Sequence, residues 1–400
     1  MKNYNIDFVI IGSGIIGLTM AKSLIGRYPE SKIAIVEKES EVGQHASGLN
    51  SGVLHAGIYY AADSLKAKFC KQGNLAWTGY CQENGLRINQ CGKVIVAKDE
   101  AELKTLHELE KRALNNGATL KRINEKELAA IEPNAVTYGR ALHVPSTAVV
   151  DPKEICLHLK NYLQSKGVQF FFSSPYLLKT GRNQIQAGQN HFTYDKLINC
   201  AGLYADKIAH DFGCSEHYTI IPFKGLYLKY TLPDKPVKTN IYPVPNLANP
   251  FLGVHFTVTV DGNVKIGPTA TPAFWREHYD LFGNFNFDEM SSIIGWEAKL
   301  FLSNSFGFRD LAIEEIKKYK KAYLIDKASY MVSKLNKAGF SEWSKPGIRA
   351  QLLDKRDLKL VQDFVVEKGE DSIHILNAVS PAFTCSIPFS DWVIDNYLNS

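Results

Sequence analysis

The sequence predicts a protein of the α/β class in which a Rossmann-like nucleotide-binding domain is interleaved with an antiparallel α+β domain. Three observations carry this prediction: a glycine-rich turn between a strand and a helix, an acidic residue at the end of the next strand, and two stretches of alternating, aromatic-rich sequence. A chain of 400 residues also exceeds what one hydrophobic core usually supports, so two domains are expected.

The first element is a strand, turn and helix of the kind that binds nucleotides. Its turn reads Gly12-Ser13-Gly14-Ile15-Ile16-Gly17. The turn follows an apolar strand predicted over residues 8–11 and precedes a helix predicted over residues 18–24. Gly12 permits a tight turn, Gly14 lets the backbone approach a pyrophosphate, and Gly17 lets the helix pack closely on the strand. The helix N-terminus adds unpaired N–H groups, so residues 12–16 are predicted to bind a dinucleotide.

The second strand, predicted over residues 32–36, leads to Glu37 and Lys38. An acid about 20 residues past the last glycine accepts hydrogen bonds from ribose hydroxyls, and its charge repels a 2′-phosphate. The cofactor is therefore not expected to be NADP. Because no second fingerprint occurs, an enzyme that uses FAD and NAD(P)H through two such folds is disfavoured, which leaves NAD alone or FAD alone.

A loop of small residues follows the acid and favours FAD. Its predicted cofactor contacts are Ser47, Gly48, Asn50, Ser51 and Gly52. Small hydrogen-bonding residues suit the edge of a flat isoalloxazine ring, whereas an NAD dehydrogenase needs no such loop directly after the first acid. The loop therefore predicts a flavin.

Two later strand ends are expected to complete the nucleotide site. A buried strand over residues 197–200 ends in Ala201-Gly202, which allows a nucleotide to approach closely. A C-terminal strand over residues 373–376 leads to a final helix that begins near Ser380-Pro381-Ala382-Phe383-Thr384. The N-terminus of that helix is predicted to stabilise negative charge on a reduced flavin ring.

Alternating segments predict where the second domain lies. Residues 227–230 and 253–260 alternate as antiparallel strands do, and helical patterns at 287–302 and 322–335 are expected to cover or flank their sheet. The predicted nucleotide-binding domain comprises residues 1–80, 146–215 and 345–400, and the predicted substrate domain comprises residues 81–145 and 216–344.

Composition narrows the function classes. The formal net charge of +5, from 46 basic and 41 acidic residues, is too small and dispersed to predict a nucleic-acid partner, and better suits an anionic small molecule or an acidic membrane surface. The seven cysteines form no C-x-x-C pair, which argues against a metal centre and against a disulfide reductase. Scattered thiols and the lack of any run of transmembrane length predict a cytoplasmic protein, free or peripheral on the inner membrane. No oligomeric state follows from these features.

Five segments beyond the fingerprint resemble the L-2-hydroxyglutarate dehydrogenase/oxidase family, which belongs to the D-amino-acid-oxidase-like flavoproteins. They are His55-Ala56-Gly57-Ile58-Tyr59-Tyr60, Ser64-Leu65-Lys66-Ala67-Lys68, Asn240-Ile241-Tyr242-Pro243-Val244-Pro245, Pro250-Phe251-Leu252-Gly253-Val254-His255-Phe256-Thr257 and Gly347-Ile348-Arg349-Ala350-Gln351. The resemblance runs from the first strand to the last helix. It implies a nucleotide domain of the glutathione-reductase type, FAD, oxidation of L-2-hydroxyglutarate to 2-oxoglutarate, and electron transfer to a quinone-linked acceptor or to oxygen.

Several positions differ from the family pattern. Leu49 stands where the family usually has histidine, and Lys224 and Leu226 replace a common arginine and a polar or acidic residue. Val379, Phe383 and Cys385 replace smaller or different residues near the flavin. Leu226 and Phe383 are the substitutions expected to shift substrate choice or oxygen access.

A dicarboxylate with a hydroxyl-bearing carbon needs fixed cations and one base. Arg349 is the candidate for bidentate recognition of a carboxylate, because its planar fork matches that anion, and its segment leads toward the flavin. His55 and His255 are the candidate bases, with His55 expected nearer the flavin and His255 facing the substrate. The weaker candidates for the second carboxylate are Lys224, Tyr59 and Tyr242.

Two other functions remain open at this point. An amine or amino-acid oxidase on the same scaffold would meet one carboxylate and a neutral amine, with glycine, sarcosine or D-amino acids as substrates. A non-catalytic flavin-binding protein would hold a flavin that no hydroxyacid reduces, and only the differences from the family pattern support it.

Overall fold

The computed structural model describes residues 2–245 and 253–398. Within these ranges the helices are α1 (Ile15–Arg27), α2 (Leu65–Glu83), α3 (Glu100–Asn115), α4 (Glu125–Ile131), α5 (Pro152–Ser165), α6 (Ala205–Asp211), α7 (Phe287–Ser303), α8 (Phe308–Lys317), α9 (Lys321–Ser329) and α10 (Ala382–Val393). The strands are β1 (Lys2–Ile11), β2 (Ile33–Val36), β3 (Val53–Leu54), β4 (Ile88–Asn89), β5 (Lys93–Val96), β6 (Lys121–Asn124), β7 (Arg140–Val144), β8 (Ala148–Val150), β9 (Gln169–Phe171), β10 (Tyr176–Gly181), β11 (Gln184–Ala187), β12 (Asn190–Asn199), β13 (Tyr218–Gly225), β14 (Leu228–Tyr230), β15 (Asn240–Pro243), β16 (His255–Val258), β17 (Val264–Gly267), β18 (Thr271–Pro272), β19 (Phe340–Trp343), β20 (Gly347–Asp354), β21 (Lys359–Leu360), β22 (Val366–Lys368) and β23 (Ser372–Ile375).

The nucleotide-binding half is built on a sheet in the order β10-β11-β12-β1-β2-β9, with β23 pairing beside the end of β12 and β22 outside it. Strand β1 runs parallel to both neighbours, with Ile10 opposite Ile35 on β2 and Ile198 on β12. The apolar end of β1 is buried, as expected of a central strand covered on both faces. The glycine turn, the acid and the Ala-Gly pair therefore follow three neighbouring strands at one edge of the sheet.

Helix α1 links this sheet to α10, the last α-helix of the described chain. It packs against α5 and α10, and α10 packs against α2. Leu18, Trp77 and Phe389 are fully buried among these helices. The hydroxyl groups of Thr19 on α1 and Ser390 on α10 lie 2.8 Å apart. The two ends of the chain thus form one layer over the nucleotide sheet.

The substrate half contains two sheets. The larger has the order β19-β14-β17-β16-β15-β5-β7-β6, and its core includes Ile241, Phe256 and Leu324. The smaller has the order β18-β13-β20-β21, with α7 and α8 packed on it through Leu300 and Phe308. A short sheet, β3-β8-β4, lies where the two halves of the chain meet.

The structure differs from the sequence prediction at one domain boundary and in several helices. The segment 345–400 was assigned to the nucleotide-binding domain, yet its first strand, β20, pairs with β13 of the substrate half. Helices α3 and α4 interrupt the segment 81–145, which was predicted as antiparallel sheet. Helix α3 forms because the Asp99 side chain caps it by accepting from Glu102 N–H, and acidic residues fill its first turn.

Smaller differences concern the ends of elements. The helix predicted over 322–335 ends at Ser329, and α8 had no counterpart in the prediction. Residues 250–252, which belong to one of the segments that carry the family resemblance, lie outside the described residues.

Candidate active site

A cavity of about 890 Å³ lies between the carboxyl edge of the nucleotide sheet and the substrate half. Residues of both halves line it, and most of the predicted cofactor contacts are among them. These lining residues are Gly12, Gly14, Ile15, Ile16, Glu37, Lys38, Ser47, Asn50, Ser51, Ala201, Gly202, Arg349 and the run Ser380, Pro381, Ala382, Phe383 and Thr384. Of the candidate bases, His55 lines the cavity.

The glycine turn is shaped by close backbone contacts. Gly12 has φ +99°, and a Cβ there would lie 2.6 Å from the carbonyl oxygen of Cys200. A Cβ on Gly17 would lie 2.0 Å from the carbonyl oxygen of Gly12. Ile15 N–H donates to Ser47 Oγ at 2.8 Å, so a loop serine holds the first turn of α1. The turn and helix therefore meet the cavity as a flat, side-chain-poor surface suited to a pyrophosphate.

Glu37 is tied to the glycine turn. One of its carboxylate oxygens accepts from Ser13 N–H at 2.7 Å and from Ser13 Oγ at 2.8 Å, and the other accepts from Glu39 N–H at 2.9 Å. Ser13 is fully buried and supports the acid rather than lining the cavity. The acid is thus fixed at the edge where a ribose would lie.

The small-residue loop is held by its own side chains. Asn50 Oδ1 accepts from Gly52 N–H at 2.7 Å, and Asn50 Nδ2 donates to the Ser47 carbonyl at 2.7 Å. A Cβ on Gly48 would lie 2.2 Å from the Gly43 carbonyl oxygen. Gly48 and Gly52 therefore shape the loop, while Ser47, Asn50 and Ser51 line the cavity.

The N-terminus of α10 opens into the same cavity. Helix α10 has 12 residues, and no side chain caps its first turn. Thr384 Oγ1 accepts from His55 N–H at 3.1 Å, which joins this helix to strand β3. Two helix N-termini, a glycine surface and a fixed acid around one cavity fit the phosphates, ribose and ring of FAD.

His55 is buried, with 8% of its surface exposed, and its Nδ1 has no hydrogen-bond partner among the described residues. Burial lowers the pKa of His55 to about 3, and the nearby Lys93 and His255 add to this effect. The imidazole is therefore neutral at physiological pH and able to accept a proton.

His255 lies behind His55 on strand β16 and does not line the cavity. Its Nδ1 lies 2.9 Å from the Gly253 carbonyl oxygen, and its ring stacks on Tyr242 with the centroids 3.8 Å apart. A carbonyl partner assigns the proton to Nδ1 and leaves Nε2 as an acceptor. Burial lowers the pKa of His255 to about 3.

Arg349 lies on β20, opposite Phe223 of β13. Its Nη1 donates to the Thr269 carbonyl at 3.0 Å, and its guanidinium lies against Gly225, where a Cβ would be 3.2 Å from Nη2. Burial lowers the pKa of Arg349, yet an arginine remains charged at neutral pH. A fixed cation therefore faces the cavity.

Lys224, predicted as a candidate for the second carboxylate, lies elsewhere. It is opposite Ile348 in the register of β13 and β20. Its side chain therefore lies on one face of the sheet and that of Arg349 on the other. It does not line the cavity, and the charged groups that it interacts with are Asp280 and His278. The sequence analysis predicted no strand at this position and so could not assign the face on which Lys224 lies.

Two lysines that lie behind the residues lining the cavity were missed by the sequence analysis. Lys93 is fully buried, its Nζ has no hydrogen-bond partner among the described residues, and it lies 4.7 Å from the centroid of Tyr59 and 4.9 Å from that of Tyr242. Lys265 lies over the ring of Tyr227, which lines the cavity, at 4.6 Å from its centroid. The available signal was a lysine opening an otherwise apolar strand, Lys93–Val96.

One cluster beside the cavity has the composition of a metal site, Glu39, His45 and Glu277. Its groups are engaged with each other and with a lysine: Lys38 Nζ lies 2.7 Å from Glu277 and also contacts Glu39, and His45 Nε2 lies 2.8 Å from Glu39. The ion pairs of Lys38 join the nucleotide half to the loop before α7.

Comparison with known proteins identifies the family of the chain. The family model described as FAD dependent oxidoreductase matches residues 7–395. The L-2-hydroxyglutarate dehydrogenase of Escherichia coli is 35% identical over 396 residues, which cover 97% of this chain and 92% of that protein. The mitochondrial L-2-hydroxyglutarate dehydrogenase of Homo sapiens is 37% identical over 417 residues, which cover 97% of this chain and 88% of that protein.

Solved structures support the fold. The L-α-glycerophosphate oxidase of Mycoplasma pneumoniae with FAD bound superposes with a TM-score of 0.77 at 21% identity, covering 98% of this chain and 95% of that one. Glycine oxidase from Geobacillus kaustophilus superposes with a TM-score of 0.73 at 15% identity, covering 99% and 95%. The predicted fold class, the family resemblance and the FAD cofactor are confirmed. The chain belongs to the FAD-dependent oxidoreductase family.

Proposed function

We propose that this protein oxidises L-2-hydroxyglutarate to 2-oxoglutarate with FAD. The observation that carries the proposal is a fixed arginine and a neutral, buried histidine on the wall of a cavity shaped for a flavin. The full-length similarity to L-2-hydroxyglutarate dehydrogenases supports the choice of substrate. An amine or amino-acid oxidase would need no second cation, and several cationic side chains surround this site.

The roles of the residues follow from their chemistry. Arg349 binds the carboxylate beside the hydroxyl group, since its fork pairs with both oxygens. That pairing orients the substrate so that the hydrogen on the hydroxyl-bearing carbon points toward the flavin ring. FAD, when bound, supplies the hydride acceptor at its N5 atom.

We assign the base to His55. It accepts the hydroxyl proton as the hydride leaves, because its neutral ring lies at the cavity wall and Thr384 Oγ1 fixes its backbone. His255, which does not line the cavity, stacks on Tyr242 instead. The N-terminus of α10 favours the negative charge that accumulates on the ring side of the cavity.

An anaerobic visible spectrum tests this proposal. L-2-hydroxyglutarate should bleach the flavin band of the purified protein, while D-2-hydroxyglutarate, glycine and sarcosine should leave it unchanged. Bleaching by an amino acid instead would support the oxidase alternative. A yellow protein that none of the four reduces would support a non-catalytic flavin protein.

We also propose that the electrons pass to a quinone in a membrane that the protein meets peripherally. No helix among the described residues is long and apolar enough to cross a bilayer. A region that we call the α7–α8 face, formed by the loop before α7 and by α7 and α8, nevertheless exposes many large apolar side chains, among them Leu302 at 77% and Phe282 at 75%. The others are Leu281, Phe285, Phe287, Ile294, Phe301, Phe306, Ile313 and Ile316.

The charges around the α7–α8 face favour an anionic bilayer. Between residues 287 and 321 the exposed basic side chains are Lys299, Arg309, Lys317, Lys320 and Lys321. The exposed acidic side chains are Asp288 and Asp310 in the same range and Asp280 at the loop before α7. An apolar surface bordered by excess cations is typical of proteins that lie on acidic lipid headgroups.

Vesicle sedimentation tests the membrane contact. The holoenzyme should pellet with phosphatidylglycerol vesicles, less so in high salt or with phosphatidylcholine, and the double variant Phe282→Ser, Leu302→Ser should remain in the supernatant. Sedimentation equally strong for the variant would overturn the assignment of this face. A wild-type dimer that dissociates in the variant would show that a second copy covers the face instead.

A separate assay tests the electron acceptor. Reduction of a soluble quinone analogue by the reduced enzyme, without formation of peroxide, would support a quinone over oxygen.

A further inference from the structure

Lys93 is a buried cation without a protein partner. Its side chain is fully inaccessible, and its Nζ forms no hydrogen bond among the described residues. An ammonium group in such a place is strongly destabilising unless an anion or several hydrogen bonds compensate it. Because the carboxylates described around the cavity are engaged with other groups, the missing partner points to a ligand.

Two tyrosines surround the amine. The rings of Tyr59 and Tyr242 lie with their centroids 4.7 Å and 4.9 Å from Nζ, and the Tyr59 hydroxyl is also buried without a partner. Ring faces stabilise a cation but cannot neutralise it. The phenol of Tyr59 adds a hydrogen-bond donor beside the amine, which is the combination that a carboxylate requires.

The amine belongs to the same electrostatic cluster as the proposed catalytic groups. The charge of Lys93 acts on both His55 and His255, and the charge of Arg349 acts on His255. The two cations that act on His255 belong to different sheets, since Lys93 opens β5 and Arg349 lies on β20. Two cations from different sheets that act on one histidine match the two charged ends of a dicarboxylate.

We propose that Lys93, with the hydroxyl group of Tyr59, binds the distal carboxylate of the substrate and so selects dicarboxylates over monocarboxylic 2-hydroxyacids. This inference rests on the proposed function, in which Arg349 binds the carboxylate beside the hydroxyl. Lys93 takes the role that the sequence analysis gave to Lys224 as the group for the second carboxylate. The side chain of Lys224 lies on the face of its sheet opposite Arg349.

L-2-hydroxyvalerate isolates the role of the distal group, because it has the same five-carbon chain as L-2-hydroxyglutarate and lacks that carboxylate. A monocarboxylate would leave Lys93 buried and unpaired, and a site with an unpaired buried polar group rejects the analogue by a large factor. The wild-type holoenzyme should therefore prefer L-2-hydroxyglutarate by roughly 10²-fold or more in kcat/KM.

The decisive variant is Lys93→Met, which keeps the length of the side chain and removes its charge. It should lower kcat/KM for L-2-hydroxyglutarate by about 10²-fold and leave or improve that for L-2-hydroxyvalerate, so that the discrimination collapses. Lys224→Met is the matched comparison, since Lys224 is also a largely buried lysine. If Lys224→Met abolishes discrimination and Lys93→Met retains it, the assignment to Lys93 is wrong.

A pH profile of the wild-type enzyme gives a readout that does not depend on a variant folding. Burial lowers the pKa of Lys93 to about 7, so the free enzyme loses this charge as the pH rises through that value. The kcat/KM for L-2-hydroxyglutarate should fall above about pH 7, and that for L-2-hydroxyvalerate should not. Parallel profiles would overturn the inference. A wild-type enzyme that fails to oxidise L-2-hydroxyglutarate at any pH would overturn the proposed function and this inference together, whereas failure of the comparison between substrates alone removes only Lys93.

Discussion

Two regions of the site differ in whether their polar groups have hydrogen-bond partners. We call the glycine turn with its acid and small-residue loop the flavin cradle, and His55, Tyr59 and Lys93 the substrate cluster. In the cradle, Ser13 is bonded to Glu37 and Ile15 N–H to Ser47, so the loop holds its shape through its own hydrogen bonds. In the substrate cluster, His55 Nδ1, the Tyr59 hydroxyl and Lys93 Nζ are buried without partners among the described residues. The cradle is stable before its ligand arrives, whereas the cluster holds polar groups that a ligand must satisfy.

The largest effect should come from removing the proposed base in the cluster. His55→Gln should lower kcat by about 10²–10⁴-fold, because His255, the other candidate base, does not line the cavity. Anaerobic stopped-flow measurement of flavin reduction checks this, with flavin content as the control. His255→Asn, which changes a residue behind the base, should cost about tenfold or less. Equal losses in the two variants would contradict the assignment of roles.

The second-largest effect should come from removing the side chain of Arg349. Arg349→Ala should lower kcat/KM for L-2-hydroxyglutarate by about 10²–10³-fold, since a fixed cation that pairs with a carboxylate in a buried site contributes a few kcal/mol. Arg349→Lys keeps the charge and loses the bidentate fork, so it should recover only part of this loss. Steady-state kinetics on the three proteins measures the series. Full recovery by lysine would show that charge alone matters.

The comparison between the two regions also predicts a change in stability. Since Lys93 has a pKa of about 7 in the folded chain and about 10.5 when free, its charge opposes folding fully below pH 7, and this cost declines as the pH rises toward 10.5. Lys93→Met should therefore raise the free energy of unfolding by a few kcal/mol near pH 6 and by less near pH 9. Urea denaturation at the two pH values measures this. A variant less stable than wild type at pH 6 would mean that Lys93 has a partner in the folded protein.

The smallest effect should come from the cradle. Ser47→Ala removes the acceptor for Ile15 N–H and should lower stability by about 1 kcal/mol, as other losses at helix N-termini do. The dissociation constant of FAD should rise several-fold, while the discrimination between L-2-hydroxyglutarate and L-2-hydroxyvalerate should not change. Titration of the apoprotein with FAD measures the first effect. A change in substrate discrimination would show that the cradle and the cluster are coupled.

The same contrast explains what the sequence could predict. Gly12, Gly14, Glu37 and Ser47 lie within one stretch of chain, and their roles follow from local spacing and from the geometry of a parallel sheet. The domain boundary near residue 345 could not be predicted from local sequence, because the pairing of β20 with β13 joins residues more than 100 positions apart. Helix α3 was missed because the whole segment 81–145 was interpreted as antiparallel sheet.

The substrate cluster depends on contacts that no local pattern reveals. Lys93 meets Tyr242 because β5 pairs with β15, and Lys224 and Arg349 leave opposite faces because of a register set by two distant strands. A one-residue shift would exchange those faces. The chemistry of a dicarboxylate substrate pointed to His55, His255 and Arg349, but it gave no role to a lysine that opens an apolar strand.

The bond between Thr384 and His55 has a consequence for biosynthesis. The threonine sits in the first turn of α10, and that helix packs against α1 and is bonded to it through Ser390 and Thr19. A ribosome releases the chain from the N-terminus, so β1, β2 and β12 leave the exit tunnel long before β23 and α10 do. Until β23 and α10 have been synthesised, the edge of β12 has no partner strand and the His55 backbone lacks its bond to Thr384. A premature stop codon near the 3′ end of the message should therefore be as damaging to activity as one near its start.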